Sequence, residues 1–297
     1  MAIGYDNLDL VTDLVENLNS LDYVADPAIA TSLHLAQMLG RPLLIEGRAG
    51  VGKTQIAATM SQLLDTELIR LQCYEGLDVN AALYEWNYPK QLLWIRMNES
   101  GNLSTSEMET EIFGRQFLLE RPLLSALTKE KSPVLLIDEV DRADEEFEAF
   151  LLEILSEFQV TIPELGTISA VNKPLVILTS NRTRDLSDAL RRRCLYLWVD
   201  YPELQKELQI VRRKVEGISE QLARQVCEFV QTTRSEGLGR NPGVSETLDW
   251  ATAMVALHMD ELEPEVVLQT MGALIKDADD LNTFKKTTIE RIIQSIA

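Results

Sequence analysis

The chain has 297 residues, enough for about two domains at roughly 100–200 residues each. Its 45% apolar and 25% charged content is ordinary for a globular protein, which excludes a wholly disordered chain, a collagen-like repeat or a disulfide scaffold. With 47 acidic and 28 basic side chains the formal charge is −19, which opposes binding to a nucleic-acid backbone unless the basic residues cluster.

No Lys or Arg precedes Arg41. Neither a secretory signal nor an Arg-rich transit peptide is therefore expected, and the expected setting is the cytoplasm. A first helix carries Leu8, Val11, Leu14, Val15 and Leu18 on one face. A second opens at Asp26-Pro27, a capping residue before a proline, and stops near Gly40. Short apolar strands then alternate with longer helical periods. The strands expected are Leu43–Ile45, Leu68–Cys73, Val134–Ile137, Leu175–Thr179 and Leu195–Val199. Their near-continuous apolar character suits a parallel sheet buried on both faces. The longest apolar run, Cys194–Val199, is far short of the ~20 residues that span a bilayer. Phe147, Phe150, Leu151, Ile154, Leu155 and Phe158 trace a helical face, and a hairpin is expected around Pro163 and Gly166. After Tyr201-Pro202 only helical periods continue. The expectation is a doubly wound α/β domain over 1–200, with residues 1–40 included, followed by a helical domain over 201–297.

Cys73, Cys194 and Cys227 are an odd number without CxxC spacing and read as reduced thiols. His34 and His258 stand alone, so no zinc site can be composed. Asn98, Asn102 and Asn181 begin glycosylation-like triplets, read here as chance.

The strongest chemical signal is Gly47-Arg48-Ala49-Gly50-Val51-Gly52-Lys53-Thr54, which fits GxxxxGK[ST] in full between a strand and a helix. Its glycines let backbone N–H groups converge on phosphate oxygens, and the helix beginning at Gln55 adds its positive end. Lys53 is placed for the β- and γ-phosphates of ATP, and Thr54 for Mg²⁺. An apolar strand ends in Asp138-Glu139, 85 residues after Lys53. Asp138 is expected in the Mg²⁺ shell and Glu139 beside the attacking water. The acidic run that follows, Asp141, Asp144, Glu145, Glu146 and Glu148, reads mostly as a solvated helix start. The fourth strand ends at Thr179-Ser180-Asn181, where an amide can bridge water and γ-phosphate. Arg191-Arg192-Arg193 is the densest basic cluster, read as a source of an arginine acting on a neighbouring subunit's nucleotide, against the alternatives of a solvated face or a nucleic-acid patch.

Together these features resemble an AAA+ ATPase, and within that group the MoxR family and its CoxD-like branch. The segments carrying the resemblance are LIEGRAGVGKT (44–54), YEGLDVNAALYEWNYPKQLL (74–93), LLIDEVDRADEEFEAFLLEILSEFQVTIP (135–163) and LTSNRTRDLSDALRRRCLYLWVDYP (178–202). The resemblance implies an ATP-driven chaperone, hexameric when active, working with a von Willebrand A-domain protein to mature a metalloenzyme or assemble a complex. A nucleic-acid translocase or clamp-loader-like ATPase is the alternative. Two departures stand out. The finger arginine, taken as Arg193 with Arg191 and Arg192 as alternatives, lacks its usual flanking aspartate and phenylalanine. The lid's usual Ser-Pro-Arg is replaced by Asn241-Pro242-Gly243, with Arg240 as the substitute cation. Tyr74, Tyr84, Trp86, Tyr88 and Trp94 follow the second strand, where packing or the gripping of a partner are both open.

Overall fold

The computed structural model describes residues 6–98 and 105–296. In chain order, the elements up to the second strand are α1 (Asp6–Ser20), α2 (Pro27–Leu39), β1 (Leu43–Gly47), α3 (Lys53–Leu63) and β2 (Leu68–Gln72). There follow α4 (Val79–Ala82), β3 (Tyr84–Trp86), α5 (Tyr88–Asn98), α6 (Thr105–Ile112), β4 (Leu118–Glu120), α7 (Pro122–Thr128) and β5 (Val134–Asp138). The α/β segment closes with α8 (Glu145–Glu157), β6 (Gln159–Ile162), β7 (Gly166–Ser169), β8 (Leu175–Ser180), α9 (Asp188–Arg193) and β9 (Leu195–Val199). Then come α10 (Leu204–Lys214), α11 (Glu220–Ser235), α12 (Val244–Ala256), α13 (Pro264–Leu274), α14 (Ala278–Thr283) and α15 (Lys286–Ile296).

The five expected strands form one sheet in the order β2-β5-β8-β1-β9. The β2–β5, β5–β8 and β8–β1 pairs are parallel, in registers that set Gln72 beside Asp138 and Glu46 beside Ser180. This is the AAA+ P-loop fold. Parallel pairing fits the composition: β5 and β8 are buried at every position, as strands covered on both faces must be. The parallel direction also brings the C-terminal ends of β1, β5 and β8 to one edge, where such sheets carry their ligand sites.

The chain divides into two compact units, one of Met1–Asp26, Gly47–Ile56 and Trp198–Ala297, the other of Pro27–Glu46 and Ala57–Leu197. The second unit has a core built from β2, β5 and β8 with α7 and α8, including Leu71, Leu123, Ile137, Leu151 and Leu178. Helix α8 starts where the Asp144 carboxylate accepts from the Phe147 N–H at 2.8 Å, with Glu145, Glu146 and Glu148 in its positively polarised first turn. The expected hairpin is present as β6 and β7, closed by a turn with Gly166 at φ +78°. A further antiparallel pair, β3 with β4, was not anticipated. It buries Trp86, which meets Phe113 edge-on at 5.4 Å, while Trp94 meets Phe117 at 6.1 Å. Two of the five aromatics singled out above are thus packing residues, whereas Tyr74 and Tyr88 are exposed.

The first unit has its own core on α10–α13 and α15, centred on Trp250, Phe229, Val230 and Met271. A buried polar group ties three of these helices. Arg234 donates through both terminal nitrogens to the Glu207 carboxylate at 2.7 Å, and Gln231 and Thr247 donate to the same carboxylate. The Arg234 Nε reaches the Pro242 carbonyl at 2.8 Å and so fixes the chain entering α12. All three cysteines are free and buried, and burial pushes each thiol up to about 12. No described helix is long and apolar enough to cross a membrane. Asn98 bonds back to the Trp94 carbonyl; the Asn102 triplet lies outside the described residues.

Candidate active site

In the first unit the phosphate loop runs from Gly47 into α3. A Cβ at Gly47 would lie 2.0 Å from the Val199 carbonyl oxygen, so only glycine lets the loop leave the sheet here. Gly50 and Gly52 have φ of +72° and +89°, and a Cβ on Gly52 would meet nothing within 4 Å. That open space over a left-handed glycine is the room a phosphate needs. Lys53 is buried, and its ammonium donates to the Gly47 and Arg48 carbonyls at 2.8 and 2.7 Å. The N-terminus of α12 closes on the loop from the other side. The Ser245 N–H donates to the Gly50 carbonyl at 3.2 Å, and a Cβ at Gly243 would lie 2.7 Å from the Ala49 oxygen. Gly243 therefore sits where a larger residue would collide with the loop. Arg240 is exposed; its backbone N–H and that of Gly239 are held by Asp280.

A cavity of about 320 Å³ adjoins the loop, lined by Tyr23, Val24, Gly52, Gln55, Ile210 and Leu248 among others. An apolar slot beside a glycine loop and a lysine has the chemistry that suits a nucleotide's base and phosphates.

The second unit carries the acid chemistry at the C-terminal ends of β5 and β8. Asp138 is 2% exposed. Its carboxylate accepts from the Thr179 hydroxyl at 2.5 Å and from Arg70 Nε at 3.0 Å. A buried carboxylate beside the Thr179 hydroxyl is the kind of oxygen donor Mg²⁺ takes when phosphates complete its shell, so Asp138 fits that ion. Glu139 has φ +54° and ψ +50°, a conformation costly for a side chain bearing a Cβ. It is fixed there by its N–H, which donates to the Thr179 hydroxyl at 2.9 Å. Its carboxylate is held from both sides, by the Asn181 amide at 3.1 Å on Oε1 and the Gln72 amide at 3.1 Å on Oε2. Arg142 lies 3.1 Å from the same Oε2. Glu139 and Asn181 are thus brought together, while Gln72 and Arg70 had no signal beyond lying on a strand.

In the acidic run Asp144, Glu145 and Glu146 are exposed, as a solvated helix start requires, but two of its members are buried. Asp141 is 2% exposed and accepts from the N–H groups of Asn181 and Thr183 and from the Thr183 hydroxyl. Glu148 is buried too, accepting from the Ser187 N–H and paired with Arg184. Neither is a solvated helix-start residue. Both fasten the β8–α9 turn, from partners some 40 positions away that satisfy the buried charges.

Helix α9 ends in the three arginines. Arg191 points inward, with its terminal nitrogen 3.1 Å from the Glu46 carboxylate. Arg192 and Arg193 are exposed, and among the described residues their side chains make no hydrogen bond or ion pair. Their carbonyls are held instead by the Arg41 guanidinium, at 2.6 and 3.1 Å.

Residues 42–194 match the family model of the AAA domain, dynein-related subfamily. The chain belongs to that family. This AAA protein is 24% identical over 204 residues to the Holliday junction branch migration complex subunit RuvB of Thermotoga petrophila, covering 65% of this chain and 60% of that one. It is 29% identical over 169 residues to an uncharacterized Staphylococcus aureus protein, covering 55% and 57%. The chain thus spans about 60% of the length of the curated relatives it matches. Among solved structures, the Thermotoga maritima RuvB branch migration motor superposes with a TM-score of 0.46 at 21% identity, over 90% of this chain and 70% of that one. A putative ATPase from Cytophaga hutchinsonii gives 0.43 at 16% identity, over 99% of both. As an AAA protein the chain falls in a family of ATPases that generally use ATP with Mg²⁺ and commonly assemble into rings.

Proposed function

We propose that the AAA protein hydrolyses ATP as a ring, most simply a hexamer, to remodel a protein partner. This is the MoxR-type reading, with its CoxD-like branch, a von Willebrand A-domain co-factor protein, a metalloenzyme client and a cytoplasmic setting. Lys53 and the loop N–H groups hold the β- and γ-phosphates. Thr54 and Asp138 hold Mg²⁺, which would neutralise charge on those oxygens. Glu139, fixed between two amides, orients a water and takes its proton as the oxygen attacks the γ-phosphorus and the bond to ADP breaks. Asn181 bridges the carboxylate and the reacting phosphate. Arg193 meets a neighbour's γ-phosphate; the exposure of Arg192 and Arg193 beside an anchored Arg191 supports that assignment.

The observation that carries a protein partner is α5. It exposes Tyr88, Leu92, Leu93 and Met97, on a chain whose −19 charge opposes a phosphate backbone. The RuvB relatives favour a second reading, a motor acting on branched DNA. Steady-state phosphate release measured with and without a four-way DNA junction separates the two. The remodelling reading expects no change on adding DNA, and a rise of about tenfold or more would replace it with the DNA-motor reading.

A further inference from the structure

Glu46 ends β1, one residue before the phosphate loop, and the hydrolysis scheme above leaves it unused. Its carboxylate is 0% exposed. Burying a carboxylate costs several kcal/mol unless partners compensate, and apolar packing would serve stability at least as well. The partners come from three different segments. Arg191 of α9 stands 3.1 Å from Oε1, the Tyr196 hydroxyl of β9 donates to Oε2 at 3.1 Å, and the Arg182 Nε lies 3.8 Å from Oε2. Asp185 lies 3.8 Å from Arg191 and 4.0 Å from Arg182, drawing the two guanidiniums together. Arg182 directly follows Asn181, and Arg191 directly precedes the two exposed arginines. Helix α9 has only six residues, too few to hold its own direction, so its attachments decide where it points.

We propose that Glu46 is a positioning residue that ties the arginine helix to the strand leading into the phosphate loop, so that each subunit's own β1 sets the arginines it offers to its neighbour. The inference rests on the trans role of Arg193 proposed above. One carboxylate grips the arginine helix, the residue after Asn181 and β9 at once, and its backbone continues covalently into Gly47. A shift at the end of β1 therefore reaches Arg192 and Arg193 through a charged pair that resists stretching, and not through soft apolar contact.

The test separates donor from recipient. Lys53→Ala chains cannot use their own loop but can donate an arginine; Arg193→Ala chains can use their loop but donate none. Mixing the two restores hydrolysis if the trans reading holds. Adding Glu46→Gln to the Lys53→Ala donor should lower the restored kcat by about tenfold or more with KM for ATP within about threefold. The same substitution in the Arg193→Ala recipient should leave the restored rate largely intact. Arg191→Gln in the donor should reproduce the donor defect, and Arg191→Lys should recover part of it. Full restoration by the Glu46→Gln donor, or an equal loss from donor and recipient, overturns the positioning role while the trans reading stands. Failure of the unmodified pair despite co-assembly, followed by native mass spectrometry, overturns the trans reading and this inference with it. If neither Glu46→Gln nor Arg191→Gln donors fold and co-assemble, the cluster is structural and the inference falls.

Discussion

The carboxylate end of β5 and the arginine end of α9 are both charged, both exit points of elements in the same unit, and built in opposite ways. Asp138 and Glu139 are surrounded by donors from β2, β8 and the turn after β5, and Glu139 is held in a strained conformation. Arg192 and Arg193 have their carbonyls fixed and their side chains exposed. Groups that act on a nucleotide within their own chain can be preorganised by that chain, which spares reorganisation at the moment of reaction. A group that completes its contacts on another molecule has to be left open, with its backbone positioned in advance. The difference makes the two ends respond differently to mutation.

The largest effect should come from the preorganised end. Glu139→Gln keeps the size but removes the proton acceptor, and its NH₂ replaces one of the two oxygens that accept from Asn181 and Gln72. Hydrolysis should fall by about 10⁴-fold, roughly 5.4 kcal/mol on the barrier, with ATP binding retained. Phosphate release and calorimetric ATP binding check it. A loss of less than about tenfold would remove Glu139 from the water-activating role.

Arg193→Ala comes next and tests the open end. If one subunit completes another's site, as proposed above, wild-type specific activity should rise with protein concentration. The variant should bind ATP normally and turn over more slowly by about 10³-fold, the lower range for an arginine acting in trans. Concentration-independent activity in the wild type would place the arginine's action within its own subunit and dissolve the contrast.

Gln72→Ala should be milder, about tenfold in kcat with KM nearly unchanged. It removes one of the two amides on the Glu139 carboxylate and leaves Asn181 and Arg142 in place. A kcat within about twofold of wild type would make Gln72 a packing residue.

These two ends were not equally legible in the sequence. Asp138 and Glu139 announce themselves because an apolar run that stops at a carboxylate pair is a local pattern, and the glycine spacing of 47–54 is equally local. The five sheet strands show for the same reason, each lying within two residues of its expected limits. Asp141 and Glu148 did not show, since an acidic stretch opening a helix looks the same whether water or Thr183, Ser187 and Arg184 satisfies it. Strands β3 and β4 are three residues each, too short to display a period of two. Glu46 precedes the loop motif like any strand residue, and its burial depends on arginines over a hundred positions downstream. Sequence reading finds chemistry held in one segment; it misses chemistry assembled from several.

The smallest expected effect tests how the open end is aimed. The Arg41 guanidinium donates to the carbonyls of Arg192, Arg193 and, at 3.5 Å, Cys194, occupying acceptors that a helix end leaves unpaired. It also places a cation at the negative end of α9. These bonds are largely exposed, so Arg41→Ala should cost about 1 kcal/mol of stability, read as a small drop in Tm. Loosening the last turn of α9 should also spread the directions of Arg192 and Arg193, lowering kcat by about threefold without weakening ATP binding. Lysine offers a charge but no planar fork, so Arg41→Lys should recover the stability better than the turnover. A kcat loss as large as that of Arg193→Ala would mean that Arg41 itself meets the neighbouring nucleotide, and the helix end would then be the support and Arg41 the supported group.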